Sequence, residues 1–194
     1  MSHDVQSQPD PPIRSFLWKL FGRRLFSMSY HNWYAFRRRI LRAFGAIISD
    51  TTNFRPTVAL DRPWNLRCGR FVLVGDYALL LARCPITLGD RAVVSQRTSL
   101  LTEARDHTRA GASPVHKPIT IGADAWVATD ALVLPGVTIG AGAVIGARSM
   151  VDTDVPEWTI AAGDPARPLK KREFPSAGGV TTPAPNGNSP PAGS

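Results

Sequence analysis

With 194 residues, 43% of them hydrophobic and 20% charged, the chain has material for one soluble core with appendages, and no apolar stretch reaches the length of a membrane span. Its net charge of +8 is uneven, because nine Arg and Lys face only three Asp between Met1 and Arg55. The opening MSHDVQSQPDPP lacks the basic-then-apolar layout of a secretory signal, so a cytoplasmic location is expected, and Cys68 and Cys84 form no CxxC pair and read as small buried residues.

Residues 1–12, with Pro9, Pro11 and Pro12 among polar neighbours, read as a disordered lead-in. Residues 13–48 then turn helical. Phe16, Leu17, Leu20 and Phe21 share one face of a first helix. In a second, Tyr30, Trp33, Phe36 or Arg37, Ile40, Leu41 and Phe44 recur at steps of three and four, and Gly45 is the stop. Lys19, Arg23, Arg24, Arg38, Arg39 and Arg42 fall on other faces. Helices of this kind suit either the wall of a protein or the anionic surface of an inner membrane, whereas no nucleic-acid-binding motif accompanies the charge.

The segment FRPTVALDRPWNLRCG bends the chain toward a repeating region. Val74-Gly75-Asp76 and Leu88-Gly89-Asp90 open two less regular blocks, and Val94 and Leu100 continue the second in steps of six. That step fails between Leu100 and Ile121. The intervening polar stretch, Thr102 to Pro118, holds two of the four histidines and reads as a loop ejected from one corner, the place to look for chemistry.

From Ile121 to Pro156 one six-residue unit runs six times without insertion: IGADAW, VATDAL, VLPGVT, IGAGAV, IGARSM, VDTDVP. The first position is always Ile or Val, and the fifth is Ala125, Ala131, Val137, Ala143, Ser149 and Val155. A period of six fits neither a helix nor plain alternation; it fits a short strand followed by a corner, with three units closing a triangular turn. Gly122, Gly140 and Gly146 are expected to relieve the tight backbone at the corners. The fold class is therefore an all-β core, a parallel β-helix over residues 49–172 with a protruding loop at 102–118, preceded by amphipathic helices and followed by a Pro- and Gly-rich tail at 173–194 expected to be disordered.

This run resembles the hexapeptide-repeat acyltransferases, in particular the branch of colanic acid biosynthesis acetyltransferases, over roughly Leu17 to Arg172. PGVTIG at Pro135 to Gly140 and AAGDPARPLKKR at Ala161 to Arg172 are similar to the family's closing coil and exit. The resemblance implies a left-handed β-helix, a homotrimer with each site between neighbours, acetyl-CoA as acyl donor, and a sugar or lipid-linked saccharide acceptor in exopolysaccharide assembly. It also implies a loop histidine as general base, a role that imidazole suits because its ordinary pKa is near 6.5. The related pattern Thr-Gly-Ser-His-Asp stands here as Thr102-Glu103-Ala104-Arg105-Asp106-His107, so without gaps the base position falls on Arg105. Arginine stays charged at neutral pH and is no base, though it could hold a phosphate or acidic sugar. His107, flanked by Asp106, is the first candidate in its place and His116 the second; the remaining alternative is a trimeric scaffold or CoA-binding relative with impaired catalysis. Carried over by position, the CoA groove comprises Trp126, Thr129, Ala147, Asp152, Thr153, Arg167 and Lys170, with Lys171 and Arg172 toward the phosphates. Gly75 and Arg83 stand where some sugar acetyltransferases have Asn and Asp, which leaves the acceptor open. No metal is expected, since a three-histidine site would need ligands on adjacent coils and His3 and His31 lie far upstream.

Overall fold

In the computed structural model, which describes residues 10–105 and 114–173, each repeat unit forms a strand of two or three residues and then a corner. The first coil contains β1 (Ile47–Ile48), β2 (Asn53–Phe54) and β3 (Ala59–Leu60). The second contains β4 (Leu66–Cys68), β5 (Leu73–Val74) and β6 (Leu79–Leu81), and the third β7 (Ile86–Leu88), β8 (Val93–Val94) and β9 (Ser99–Leu101). An arm built on β10 (Glu103–Arg105) and β11 (Pro114–His116) follows. The fourth coil holds β12 (Ile119–Ile121), β13 (Trp126–Val127) and β14 (Leu132–Val133), and the fifth β15 (Thr138–Ile139), β16 (Val144–Ile145) and β17 (Met150–Val151). The end is closed by β18 (Thr159–Gly163) and by β19 (Ala166–Lys171), which folds back antiparallel on it.

Parallel pairing stacks these strands into three faces. Face one is β1-β4-β7-β12-β15, face two β2-β5-β8-β13-β16-β18, and face three β3-β6-β9-β14-β17. The register shows why the early repeats look irregular. Arg67 lies opposite Ile47 and Thr87 opposite Arg67, a period of twenty, whereas Thr138 lies opposite Thr120 at eighteen. The two additional residues always enter between face three and face one, from Leu60 to Cys68 and from Leu80 to Leu88. The arm is inserted at this same corner, between β9 and β12. Its base is tied shut: Lys117 N–H donates to the Thr102 carbonyl at 3.0 Å, and the Thr102 hydroxyl donates to the Leu81 carbonyl at 2.8 Å.

Inside, the residue that leads each unit forms a continuous column, including Leu88, Val94, Leu100, Ile121, Val127, Val133, Ile139, Ile145 and Val151, all within 1% of full burial. The fifth-position residues are buried as well. Cys68 and Cys84 are free and buried, and burial pushes the Cys68 thiol well above its ordinary pKa. The glycines need a different explanation from the one expected. The left-handed corner positions are occupied mostly by side-chain-bearing residues, among them Arg91, Arg97, Asp124, Asp130 and Arg148 with φ between 58° and 60°. Gly122 instead sits under the next coil, where a Cβ would fall 2.5 Å from the Ala141 nitrogen. Close stacking, not turn conformation, excludes a side chain there.

The helices cap the open end of the solenoid. α1 (Pro12–Leu17) passes through a π-helical turn (Trp18–Gly22) into α2 (Arg23–Ser27), and α3 (Tyr34–Ala43) follows. The buried stripe is Trp18, Gly22 and Phe26, so of the two placements open to the Phe16, Leu17, Leu20, Phe21 face the solenoid wall is not the one it takes: that face points outward. The reason is that Trp18 offers both area and a donor: its ring packs edge-on against Phe44 at 5.1 Å and its Nε1 donates to the Leu60 carbonyl at 3.0 Å. Leu60, Phe54 and Ile48 are the inward residues of the three first-coil strands, whose carbonyls have no preceding coil to meet. Arg37 Nε donates to Phe54 O at 2.7 Å and Arg42 Nη2 to Ile48 O at 2.7 Å. Arg37 is fully buried, its other nitrogens donating to Ser29 Oγ and to the Tyr30 and His31 carbonyls. Part of the basic charge of α3 therefore satisfies the solenoid's first edge.

Candidate functional site

The corner between faces two and three presents a vertical row. Val74, Val94, Val127 and Ile145 pair in register, and two residues beyond each come Asp76, Gln96, Thr129 and Ala147. The next residue of each turn donates its N–H one coil back: Arg97 to Asp76 O, Asp130 to Gln96 O, and Arg148 to Thr129 O, at 2.9, 3.1 and 2.8 Å. The N–H groups of Gln96, Thr129 and Ala147 take part in no such bond among the described residues. They form a row of uncommitted donors at this corner, spaced by the coil repeat, about 4.8 Å. Small residues on the fourth and fifth coils, Ala128, Gly146 and Ala147, keep this ridge shallow.

Below the ridge, a groove of about 490 Å³ runs over coils one to three, lined among others by Arg55, Asp76, Tyr77, Gln96 and Arg97. Arg97 makes two bonds to Asp130, at 2.7 and 2.8 Å, and these hold that carboxyl below the usual range. Arg55 reaches the Tyr34 hydroxyl at 3.0 Å and pairs with Asp76 at 3.4 Å, joining the groove floor to the helical cap. This groove was missed in the sequence because its lining follows the period of twenty; Gly75-Asp76-Tyr77 under Ser95-Gln96-Arg97 is the signal that marks it.

Of the residues carried over for CoA, Thr129 and Ala147 sit one above the other on the ridge. Trp126 stands half-exposed on face two, its Nε1 donating to Ser95 Oγ at 2.9 Å. Its other side lines a cavity of about 280 Å³ with Arg91, Asp124 and Arg172. Asp152 and Arg167 pair at 2.9 Å, which lowers the Asp152 carboxyl, and Thr153 Oγ1 lies 3.4 Å from Asp152. Lys170 is exposed on β19 opposite Ile160.

The arm leaves at a different corner, between faces three and one. β10 and β11 pair antiparallel, with Glu103 opposite His116 and Arg105 opposite Pro114. Glu103 is paired with Arg83 at 2.9 Å, and Arg105 is exposed where the described part of β10 ends. His116 Nδ1 is buried and has no hydrogen-bond partner among the described residues. His107 and Asp106 lie outside the described residues. Among the described residues no three His, Cys, Asp or Glu are grouped to hold a metal ion, and no helix is long and apolar enough to cross a membrane.

Comparison with known proteins bears on this geometry. The signature of the bacterial transferase hexapeptide family, six repeats long, matches residues 118–153. The chain is 38% identical over 160 residues to the Escherichia coli protein named "Putative colanic acid biosynthesis acetyltransferase WcaF", covering 82% of this chain and 88% of that one. Among solved structures, a galactoside acetyltransferase in complex with coenzyme A superposes with a TM-score of 0.76 at 25% identity, over 84% of this chain and 82% of that one. A hexapeptide-repeat acetyltransferase of Vibrio cholerae complexed with acetyl coenzyme A gives 0.72 at 27% identity, over 84% and 87%.

Proposed function

The chain belongs to the hexapeptide-repeat transferases, and from that premise we propose that it transfers an acetyl group from acetyl-CoA to a sugar hydroxyl, in the assembly of an exopolysaccharide. The observation that carries this reading is the row of N–H groups at Gln96, Thr129 and Ala147, unpaired among the described residues, on a ridge of small side chains that leaves room for an extended ligand. Such a row suits the amide carbonyls of pantetheine, and Trp126 flanks it. Lys170, Lys171 and Arg167 at the exit bring positive charge to the end where phosphates would lie, with Arg167 oriented by Asp152.

In this reading the thioester supplies an activated acyl carbon, and the protein supplies the proton traffic. The His107 imidazole accepts the acceptor's hydroxyl proton as the C–O bond forms, then returns it to the departing sulfur, so the products are an O-acetyl ester and a free thiol. Backbone N–H groups hold the charge that develops on the carbonyl oxygen. The arm and the ridge occupy different corners of one prism, separated by the width of face three. That separation supports a homotrimer in which the arm of one subunit serves the ridge of its neighbour. A lipid-linked saccharide acceptor would place this trimer in the cytoplasm, peripheral to the inner membrane.

Arg105 at the family's base position favours a second reading, a scaffold that binds CoA without transfer. A thiol-release assay across a panel of sugars, run with a CoA-binding measurement, separates the two. Turnover that disappears in His107→Ala with CoA binding retained supports transfer. CoA binding without turnover on any sugar supports the scaffold.

A further inference from the structure

Ten of the eighteen large hydrophobic side chains exposed among the described residues lie between Ile13 and Phe36. Scattered exposed leucines are ordinary, but this is a clustered face. The run from α1 to α2 buries Trp18, Gly22 and Phe26 against the solenoid, so the side turned away carries Ile13, Phe16 and Leu20 at helical spacing, 74%, 64% and 45% exposed. Met28 and Trp33 extend the apolar surface into the turn before α3, at 83% and 55% exposure.

The charges around this face have one sign. From Pro11 to Ser49 there is no Asp or Glu. Arg37, Arg38 and Arg42 are engaged by the first coil. Arg14, Lys19, Arg23, Arg24 and Arg39 remain exposed, and none forms an ion pair among the described residues. A second copy docked here would set cations against cations. An apolar strip bordered by Lys and Arg is instead complementary to acyl chains beneath anionic headgroups.

We propose that the outward face of α1 and α2, continued by Met28 and Trp33, is an interfacial dock that lies in the headgroup plane of an anionic phospholipid bilayer. The dock rests on the part of the functional reading that places the chain at a membrane, and it specifies the surface and the lipid charge. It stands at the first-coil end of the prism. The Arg55–Tyr77 end of the groove then opens toward the bilayer, and the Arg167–Lys170 end stays in water.

Sedimentation of the full-length protein with vesicles tests the dock independently of turnover. The protein pellets with vesicles of mixed phosphatidylcholine and phosphatidylglycerol, pellets poorly with phosphatidylcholine alone, and is released by raised salt. Phe16→Glu with Leu20→Glu lowers the partition coefficient at least tenfold while the melting curve is unchanged. Arg23→Gln with Arg24→Gln lowers it by roughly fivefold for each cation removed. Absence of binding by the folded wild-type chain overturns the dock, as does binding that both variant pairs leave intact. A concentration-dependent self-association dissolved by Phe16→Glu with Leu20→Glu, without vesicle binding, assigns the face to a second copy and also overturns it. Thiol release measured in parallel with a soluble sugar acceptor reports on acetyl transfer separately, since neither pair touches the ridge or the arm.

Discussion

Replacing Arg37 by methionine should cost far more stability than its position in a run of three arginines suggests. The side chain is fully buried and donates to four acceptors: the carbonyls of Phe54, Tyr30 and His31, and Ser29 Oγ. Its pKa is lowered, chiefly because burial disfavours the charged form, yet the guanidinium stays protonated and its donors stay directed at the backbone. Methionine fills similar space and satisfies none of them. A buried carbonyl left without a partner costs about 1–3 kcal/mol, and solvent can reach those nearer the rim, so the expected loss is about 3–5 kcal/mol. Urea unfolding at several protein concentrations measures it, with Arg39→Met as the control because Arg39 is exposed and should lie within about 0.5 kcal/mol of wild type. Hydrogen exchange should locate the loss in the first coil and α3. An Arg37→Met variant as stable as Arg39→Met would refute the reading of α3 as a cap on the solenoid edge.

Gly122→Ala should destabilise by about 2 kcal/mol, because the added Cβ meets backbone of the next coil and not a yielding side chain, and thermal melting checks this against Gly163→Ala, where the nearest atom is at 3.2 Å but φ is +112°. Asp124 and Asp130 have lowered pKa values, caused first by side-chain bonds from Arg91 and Arg97. For such groups the stabilisation is present above the unfolded carboxylate value near 4 and is lost as pH falls through the folded value, so melting temperatures should be level above about pH 5 and fall below about pH 4. The fall should be smaller in Asp124→Asn with Asp130→Asn. Ala147→Trp should raise KM for acetyl-CoA at least tenfold with little change in melting, because Ala147 is exposed on the ridge and its side chain would cover the donors; KM from thiol-release kinetics is the readout.

The solenoid was legible from Ile121 onward because inward positions repeat every six residues there without interruption, and each proved buried. Earlier coils were harder to read. Their two additional residues at one corner convert three sixes into a period of twenty, which hides the stacking of Tyr77 under Arg97. The Gly122 position was recognised as tight, but only three-dimensional stacking shows that the conflict lies with the coil above. In the first helix, periodicity found the Phe16, Leu17, Leu20, Phe21 face and passed over the Trp18, Gly22, Phe26 stripe that packs on the solenoid; a donor for the Leu60 carbonyl selected Trp18. In the run Arg37-Arg38-Arg39 the helical spacing sets Arg37 beside the apolar stripe and Arg39 on another face, but leaves Phe36 and Arg37 as alternatives; only the carbonyls of Phe54, Tyr30 and His31 show why the guanidinium is the buried one. The candidate site divides the same way. Thr129 and Ala147 were named through the family resemblance, while the separation of arm and ridge onto different corners is a property of the coil's closure.

That separation makes complementation the most direct test of the shared site. In the proposed mechanism His107→Ala subunits keep the ridge and lose the base, whereas Ala147→Trp subunits keep the base and bind acetyl-CoA poorly. Co-refolded in equal amounts and assayed with acetyl-CoA far below the raised KM, the two impaired chains should recover about a quarter of wild-type thiol release, the fraction of interfaces in a random trimer that join an intact arm to an intact ridge. Mixed trimers with no more activity than either parent would contradict the account.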